Sequence, residues 1–158
     1  MQPNDHYVCD NGVSDEAIWR KHHDEIVRYA TVLVGPAHAE DLLSAVVVRI
    51  LGNQGSLTDL DEPRSYLFRS VLNESRNYRR GLRKPPLIRD QVEPRELRPE
   101  VLEAVGRLPR RQRAAVYLTY WKDLSVADAA SLMGCRPGTV KRYLFLARQS
   151  LKEVLSDD

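Results

Sequence analysis

Six residues between positions 66 and 83 are of types that can grip a polyanion. Tyr66, Arg69, Asn73, Arg76, Arg80 and Arg83 recur at steps of 3, 4, 3, 4 and 3, the spacing that aligns side chains along one side of an α-helix. Guanidinium groups suit phosphates, while a ring and an amide suit bases, so the stripe fits a nucleic-acid track. The same basic face also fits an acidic protein partner. A second set stands at the start and along the face of a later helix: Arg136, Thr139, Lys141, Arg142, Tyr143 and Arg148. Most of these suit phosphates and base edges in a major groove.

Bond-making chemistry has weaker support. There is no phosphate-binding glycine loop, no nucleophile elbow and no paired-carboxylate site in a credible setting. His22, His23, Asp24 and Glu25 are consecutive, and consecutive helical residues point about 100° apart, so they do not converge on one ion unaided. His6 and His38 have no partner at ligand spacing. The expectation is a non-enzyme without cofactor or metal; a small helical metal-dependent hydrolase using His22, His23 and Asp24 is the rival from another class. Cys135 reads as a small apolar filler, and Trp19 and Trp121 read as core or interface anchors.

The elements that must carry the basic residues are helical, since nothing alternates with period two for long. Residues 14–34 form a first helix with Ile18, His22, Ile26, Tyr29, Ala30 and Leu33 at helical spacing, ended by Gly35-Pro36. In the second, Ala39, Leu42, Leu43, Val46, Val47, Ile50 and Leu51 make an unbroken apolar stripe. Residues 52–61 are turn-rich. Asp61 then caps a third helix with Pro63 in its first turn, and this helix runs through the basic stripe.

Four prolines between 85 and 99 forbid a regular helix there. The fold class expected is all-α, two small helical domains joined by a proline-rich linker. The boundaries are a tail at 1–13, a first domain at 14–84, the linker at 85–99 and a second domain at 100–158. In the second domain a helix from Pro109 to about Lys122 precedes the decisive stretch. Ser125 caps a helix with Asp128 at capping-box spacing, Gly134 makes the turn, and Pro137 opens a last helix with Val140, Leu144, Ala147, Leu151 and Val154 inward. A small residue at Ala130, the glycine turn and Val140 packing back make this a helix-turn-helix; the bland alternative is a helical hairpin with no DNA role.

Composition agrees with a soluble protein. Of 158 residues 42% are hydrophobic and 29% charged, and no apolar run approaches the roughly 20 residues that span a bilayer. Neither a secretory signal nor a disulfide framework is visible with Cys9 and Cys135 alone, so the expected compartment is the cytoplasm. The net charge of +2 hides an uneven distribution: residues 1–63 carry 4 basic and 11 acidic side chains, and residues 64–84 carry 7 basic against Glu74 alone. That asymmetry suggests two surfaces for two partners, a polyanion at the second.

With these residues in view, the chain resembles bacterial sigma factors of the sigma-70 family, in the two-domain extracytoplasmic-function group. LPRRQRAAVYLTYWKDLSVADAASLMGCRPGTVKRYLFLARQSL is similar to the family's fourth conserved region, and AHAEDLLSAVVVRIL to the second. PRSYLFRSVLNESRNYRRGLRK is similar to the segment that melts and reads the minus-ten element. The resemblance spans roughly residues 14 to 156. It implies that Glu40, Asp41, Leu43, Ser44, Val47 and Arg49 meet the clamp of the beta-prime subunit of core RNA polymerase. It implies that the stripe from Tyr66 to Arg83, with Asn53 and Gln54 beside Ser56 in the preceding loop, handles minus-ten DNA. The set from Arg136 to Arg148 would then read the minus-thirty-five element.

Ser44 and Ala45 stand where the family has a glutamine and an acidic residue, and Tyr66 where it often has tryptophan. Arg142, Tyr143 and Leu146 replace a frequent serine, arginine and arginine. The resemblance implies promoter DNA and core polymerase as partners, an anti-sigma protein as a further one, and no membrane insertion. A regulator that keeps the head but no longer engages polymerase is the nearer rival.

Overall fold

The computed structural model describes residues 13–53, 55–78 and 99–156, and every regular element among them is helical. Helix α1 (Asp15–Val34) starts at Ser14, whose hydroxyl accepts from the Ala17 N–H at 3.1 Å, with Asp15 and Glu16 in the first turn where carboxylates suit the helix dipole. Gly35 sits at φ +84° and turns the chain straight into Pro36, the first residue of α2 (Pro36–Gly52). A side chain at Gly35 would strain that turn.

Helix α2 packs on α1 and α3 and buries Ala39, Leu42, Leu43, Val46 and Ile50. The buried arc is narrower than the apolar pattern: Leu51, expected inward, is 75% exposed, and its neighbour Val48 is 70% exposed. Helix α3 (Pro63–Glu74) begins without a side-chain cap, so the expected capping by Asp61 is not made. Proline at the first position has no N–H to satisfy, which lowers the need for one.

The spacing predicts that this helix continues through residue 83. Instead α3 stops at Glu74 and a 3-10 turn, Ser75–Tyr78, follows. Local polar bonds tighten the chain there: Ser75 Oγ donates to Leu72 O at 2.6 Å, and Asn77 Nδ2 donates to the Glu74 carboxylate at 2.8 Å. Such side-chain bonds compete with the regular helical ladder. The expected proline-rich linker, apart from Pro99, lies outside the described residues.

Pro99 opens α4 (Pro99–Arg107), and α5 (Arg110–Val116) runs on into a π-helical turn, Tyr117–Trp121. The turn closes with Lys122 N–H on Tyr117 O at 3.1 Å, and Asp123 follows at φ +51°. Arg113 of α5 is buried and donates to Gly106 O at 3.1 Å; burial, helped by the charge of Arg110, pushes its pKa down to about 10.

Helix α6 (Val126–Met133) is capped by Ser125, which accepts from Asp128 N–H at 3.0 Å. It ends in a left-handed Gly134, with Cys135 N–H on Ala130 O at 3.0 Å and Gly134 N–H on Ser131 O at 3.3 Å. Those two bonds are a Schellman motif, which needs the positive φ that glycine supplies at low cost. Helix α7 (Pro137–Ser156) buries only Val140, Leu144 and Ala147. The helix-turn-helix expected from the sequence is therefore present.

The two halves share one core. Tyr29 of α1 is fully buried, 4.8 Å in ring centroid from Phe68 of α3 and 6.1 Å from Tyr117 of the second half. Offset aromatic contacts of this kind contribute about 0.5–1.5 kcal/mol beyond the area they bury. Glu25 of α1 ties the same region on the polar side: Arg64 donates Nε and Nη2 to its two oxygens at 2.6 and 2.9 Å, and Lys122 Nζ lies 3.5 Å away.

Candidate nucleic-acid interface

Helix α7 turns one face to its own core and the rest to solvent. Val140, Leu144 and Ala147 point inward, so the opposite arc carries Lys141, Arg142, Phe145, Arg148 and Gln149, all exposed. Arg136 is exposed just before the helix, and Thr139 is half-buried in its first turn. Tyr143, also expected there, is likewise half-buried and packs against the core. The aromatic that stands out on this helix is Phe145, 57% exposed, which the sequence reading passed over. Tyr120, 56% exposed, accepts a hydrogen bond from Arg148 Nη2 at 2.9 Å and fixes that guanidinium at the edge of the face. Helical phase counted from Val140 and Leu144 puts Phe145 outward, a signal available in the sequence.

The second candidate surface lies on α3. Arg69 and Asn73 are exposed and Tyr66 is half-buried, along one side of the helix as the spacing predicts. Arg76 is exposed but belongs to the 3-10 turn, so the regular stripe ends before it. Arg80 and Arg83 lie outside the described residues. Arg69 donates Nε to Ser65 O at 3.2 Å, and its stem covers Gly134: a Cβ there would lie 2.6 Å from Arg69 Cδ.

In the loop before α3, Asn53 is exposed and closes α2 through its N–H on Arg49 O at 3.1 Å; Gln54 lies outside the described residues. Ser56, expected beside them as a base contact, is engaged within the fold. Its hydroxyl donates to the Asp15 carboxylate at 2.5 Å, and Thr58 N–H joins at 3.1 Å. These bonds hold the Asp15 carboxyl below its usual range, the Ser56 bond most of all. Their structural effect is to pin the loop to the start of α1.

The residues expected to meet polymerase divide in two. Glu40, Asp41 and Ser44 are exposed on α2 and Val47 is half-buried. Leu43, expected at the same surface, is 3% exposed and packs in the core, at the helical phase of Ala39, Val46 and Ile50. Arg49 ion-pairs with the buried Glu74 at 2.6 Å, bracing α2 against α3. Val48 and Leu51 extend the exposed side of α2 into an apolar strip that the residue pattern had assigned inward or left aside.

His22 Nδ1 meets Glu25 at 3.3 Å and His23 Nδ1 meets Asp24 at 3.4 Å. Among the described residues there is no group of three or more His, Cys, Asp or Glu side chains that could hold a metal ion. Nor is any described helix long and apolar enough to cross a membrane.

The turn at Gly134 and the cationic arc of α7 define a helix-turn-helix protein. Comparison with known proteins narrows this. Residues 98–151 match the family described as sigma-70, region 4. The RNA polymerase sigma-E factor of Streptomyces avermitilis is 30% identical over 146 residues, covering 86% of this chain and 82% of that protein. The sigma-E factor of Streptomyces antibioticus is 29% identical over 150 residues, 89% of this chain and 83% of that one. The chain belongs to the sigma-70 family of RNA polymerase sigma factors, in the extracytoplasmic-function group.

Its fold is shared by CnrH, solved with the cytosolic domain of CnrY, at a TM-score of 0.62 and 21% identity over 91% of this chain and 88% of that one. The sigma factor RpoE of Bartonella quintana, solved with the anti-sigma factor NepR, has the same fold at a TM-score of 0.59 and 23% identity, covering 90% of this chain and 97% of that one.

Proposed function

We propose that this sigma factor docks on core RNA polymerase through the exposed side of α2, holds opened promoter DNA with α3 and the 3-10 turn, and reads upstream duplex with α7. The observation that carries the reading is α7 itself: three buried residues in twenty leave a broad outward face, and that face is cationic. Arg142 and Arg136 suit base edges and phosphates, Lys141 and Arg148 suit phosphates, and Phe145 offers the apolar surface that meets a thymine methyl. Contacts of this kind release counterions, so binding weakens as salt rises.

On the polymerase side, Glu40, Asp41 and Ser44 are flanked by Val47, Val48 and Leu51, which makes a polar strip beside an apolar one. A macromolecular interface combines those features, an apolar centre within a polar rim. Strand opening needs no bond chemistry from this subunit: bases that leave the stack are captured by ring, amide and guanidinium, at a cost of a few kcal/mol per step offset by stacking on protein. Tyr66, Asn73 and Arg76 supply those groups here, joined by Arg80 and Arg83. The site of action is the bacterial cytoplasm, where polymerase and chromosome are. An anti-sigma protein is a further partner, a reading supported by the NepR-bound sigma factor of the same fold.

The test is charge removal with open-complex formation as readout. Arg76→Ala combined with Arg80→Ala is expected to abolish permanganate-reactive opening while leaving polymerase binding intact; unchanged opening would contradict the role of the basic residues that follow α3.

A further inference from the structure

We propose that Arg49 is a positioning residue for promoter opening: from α2 it holds the Glu74 carboxylate, which in turn fixes Asn77 and so sets the direction of Arg76. The inference rests on the function proposed above and gives a part in it to a residue that the docking face does not use.

Helical phase separates Arg49 from that face. Counting about 100° per residue from Ser44, the side chains of Glu40, Asp41, Val47, Val48 and Leu51 all lie within about 60° of it, whereas Arg49 lies about 140° away. Arg49 therefore stands at the border of the buried face, on the side of α3. Its guanidinium goes there: Nη2 meets Glu74 Oε2 at 2.6 Å.

Glu74 is the last residue of α3 and is buried. A buried carboxylate is costly without a countercharge and hydrogen-bond donors, and this one takes them from two directions. Arg49 meets one oxygen from α2, and Asn77 Nδ2 donates to the other at 2.8 Å from the 3-10 turn. The Glu74–Asn77 bond brackets Ser75 and Arg76, so the carboxylate fixes the stretch of backbone from which the exposed Arg76 projects. Because α3 has ended at Glu74, helical phase no longer orients Arg76, and this bond does so instead. The far end of the turn also meets α2, where the Tyr78 ring lies 6.2 Å from that of His38. His38 stands about 120° from Ser44, on the same flank as Arg49. One flank of α2 thus docks and the other carries the opening turn. Without Arg49 the carboxylate loses its countercharge, turns toward water and releases Asn77.

The experiment compares Arg49→Met, Asn77→Ala and the double variant in the full chain. The readouts are core affinity, permanganate-reactive opening at saturating core, and amide exchange across residues 75–78 of the free chain. Each single change is expected to lower opening at least about fivefold and to speed exchange across the turn. The double variant should be no worse than the worse single one, since both act through one carboxylate. Asn77→Ala leaves the Arg49–Glu74 pair in place, so a role confined to bracing α2 on α3 predicts normal opening from it. Arg49→Met with Glu74→Gln guards against a loss of folding. Its amide oxygen still accepts from Asn77 and no charge is buried unpaired, so opening should return to within about threefold of the parent. Additive losses, normal opening from either single variant, no recovery with Glu74→Gln, or a loss of core affinity in Arg49→Met with full opening at saturating core would each overturn the proposal. A parent chain that opens no promoter with core, while its turn exchange responds to Arg49→Met as expected, shows instead that the promoter reading is at fault.

Discussion

The chain's two phenylalanines stand on the two helices proposed to face DNA and are treated in opposite ways. Phe68 on α3 is fully buried against Tyr29, with the Arg64 guanidinium 5.3 Å from its ring centre, whereas Phe145 on α7 is 57% exposed. The difference follows from what surrounds each helix. Helix α3 is contacted by α1, α2 and α6, so most of its circumference is core, and the functional stripe is what remains. Helix α7 rests on α4, α5 and α6 along one side and has a free arc for its whole length. One helix is therefore a structural strut with a narrow functional edge, and the other a presenting helix with a narrow structural edge. Substitutions in α3 should first report on folding, and substitutions in α7 on recognition.

The widest separation is expected between Phe68→Ala and Phe145→Ala. The first empties a packed site and should cost about 3–5 kcal/mol, read as a lower urea midpoint at unchanged slope. The second should stay within about 0.5 kcal/mol of the parent in stability. It should nevertheless lose discrimination at an upstream thymine, measured against uracil, which lacks the methyl group. Equal stability losses would erase the distinction between the helices.

Within α7 the account separates base reading from phosphate holding. Arg142→Ala is expected to cost about 1–3 kcal/mol on the preferred duplex and to flatten its sequence preference, while Lys141→Ala should weaken all duplexes alike and reduce the salt slope by about one. Titrations at several salt concentrations check both. Asp123 is the non-glycine residue held at positive φ among the described residues. A left-handed conformation costs an L-residue roughly 1 kcal/mol, so Asp123→Gly should stabilise the second half by up to about that amount in thermal unfolding.

The smallest effect is the pH dependence of the Glu25 cluster. Burial alone would push the Glu25 carboxyl up, but the hydrogen bond and charge of Arg64, joined by Lys122 and His22, outweigh it and hold the pKa below the usual glutamate value. A carboxyl depressed in the folded state contributes stability that is full above its unfolded pKa and lost as pH falls through the folded one. Stability should therefore decline below about pH 4.5, and Glu25→Gln should flatten that acid limb.

Much of this was legible in the sequence, where one helix meets one core. The stripe Ala39, Leu42, Leu43, Val46 and Ile50, the Ser125 cap, the Gly134 turn and inward Val140 all follow from local chemistry. Leu51 is expected inward yet lies outward, because an apolar residue on the outer arc of a helix carries the same letter as one in the core. The stop of α3 at Glu74 was hidden, since it depends on Asn77 and Arg49 meeting one carboxylate from different places. The packing of α6 on α3 and the tie of Lys122 to α1 were hidden for a related reason: Ser65 with Ser131, and Glu25 with Lys122, are unremarkable until the fold brings them together.

The central claim is that this chain specifies promoters as a subunit of RNA polymerase, and the most direct measurement is gel filtration of the full protein with bacterial core enzyme. The account predicts co-elution at one chain per core, lost when Leu51 and Val48 are both changed to aspartate while the chain stays folded. A folded, inhibitor-free chain that elutes apart from core would contradict it, and would leave a stand-alone helix-turn-helix regulator in its place.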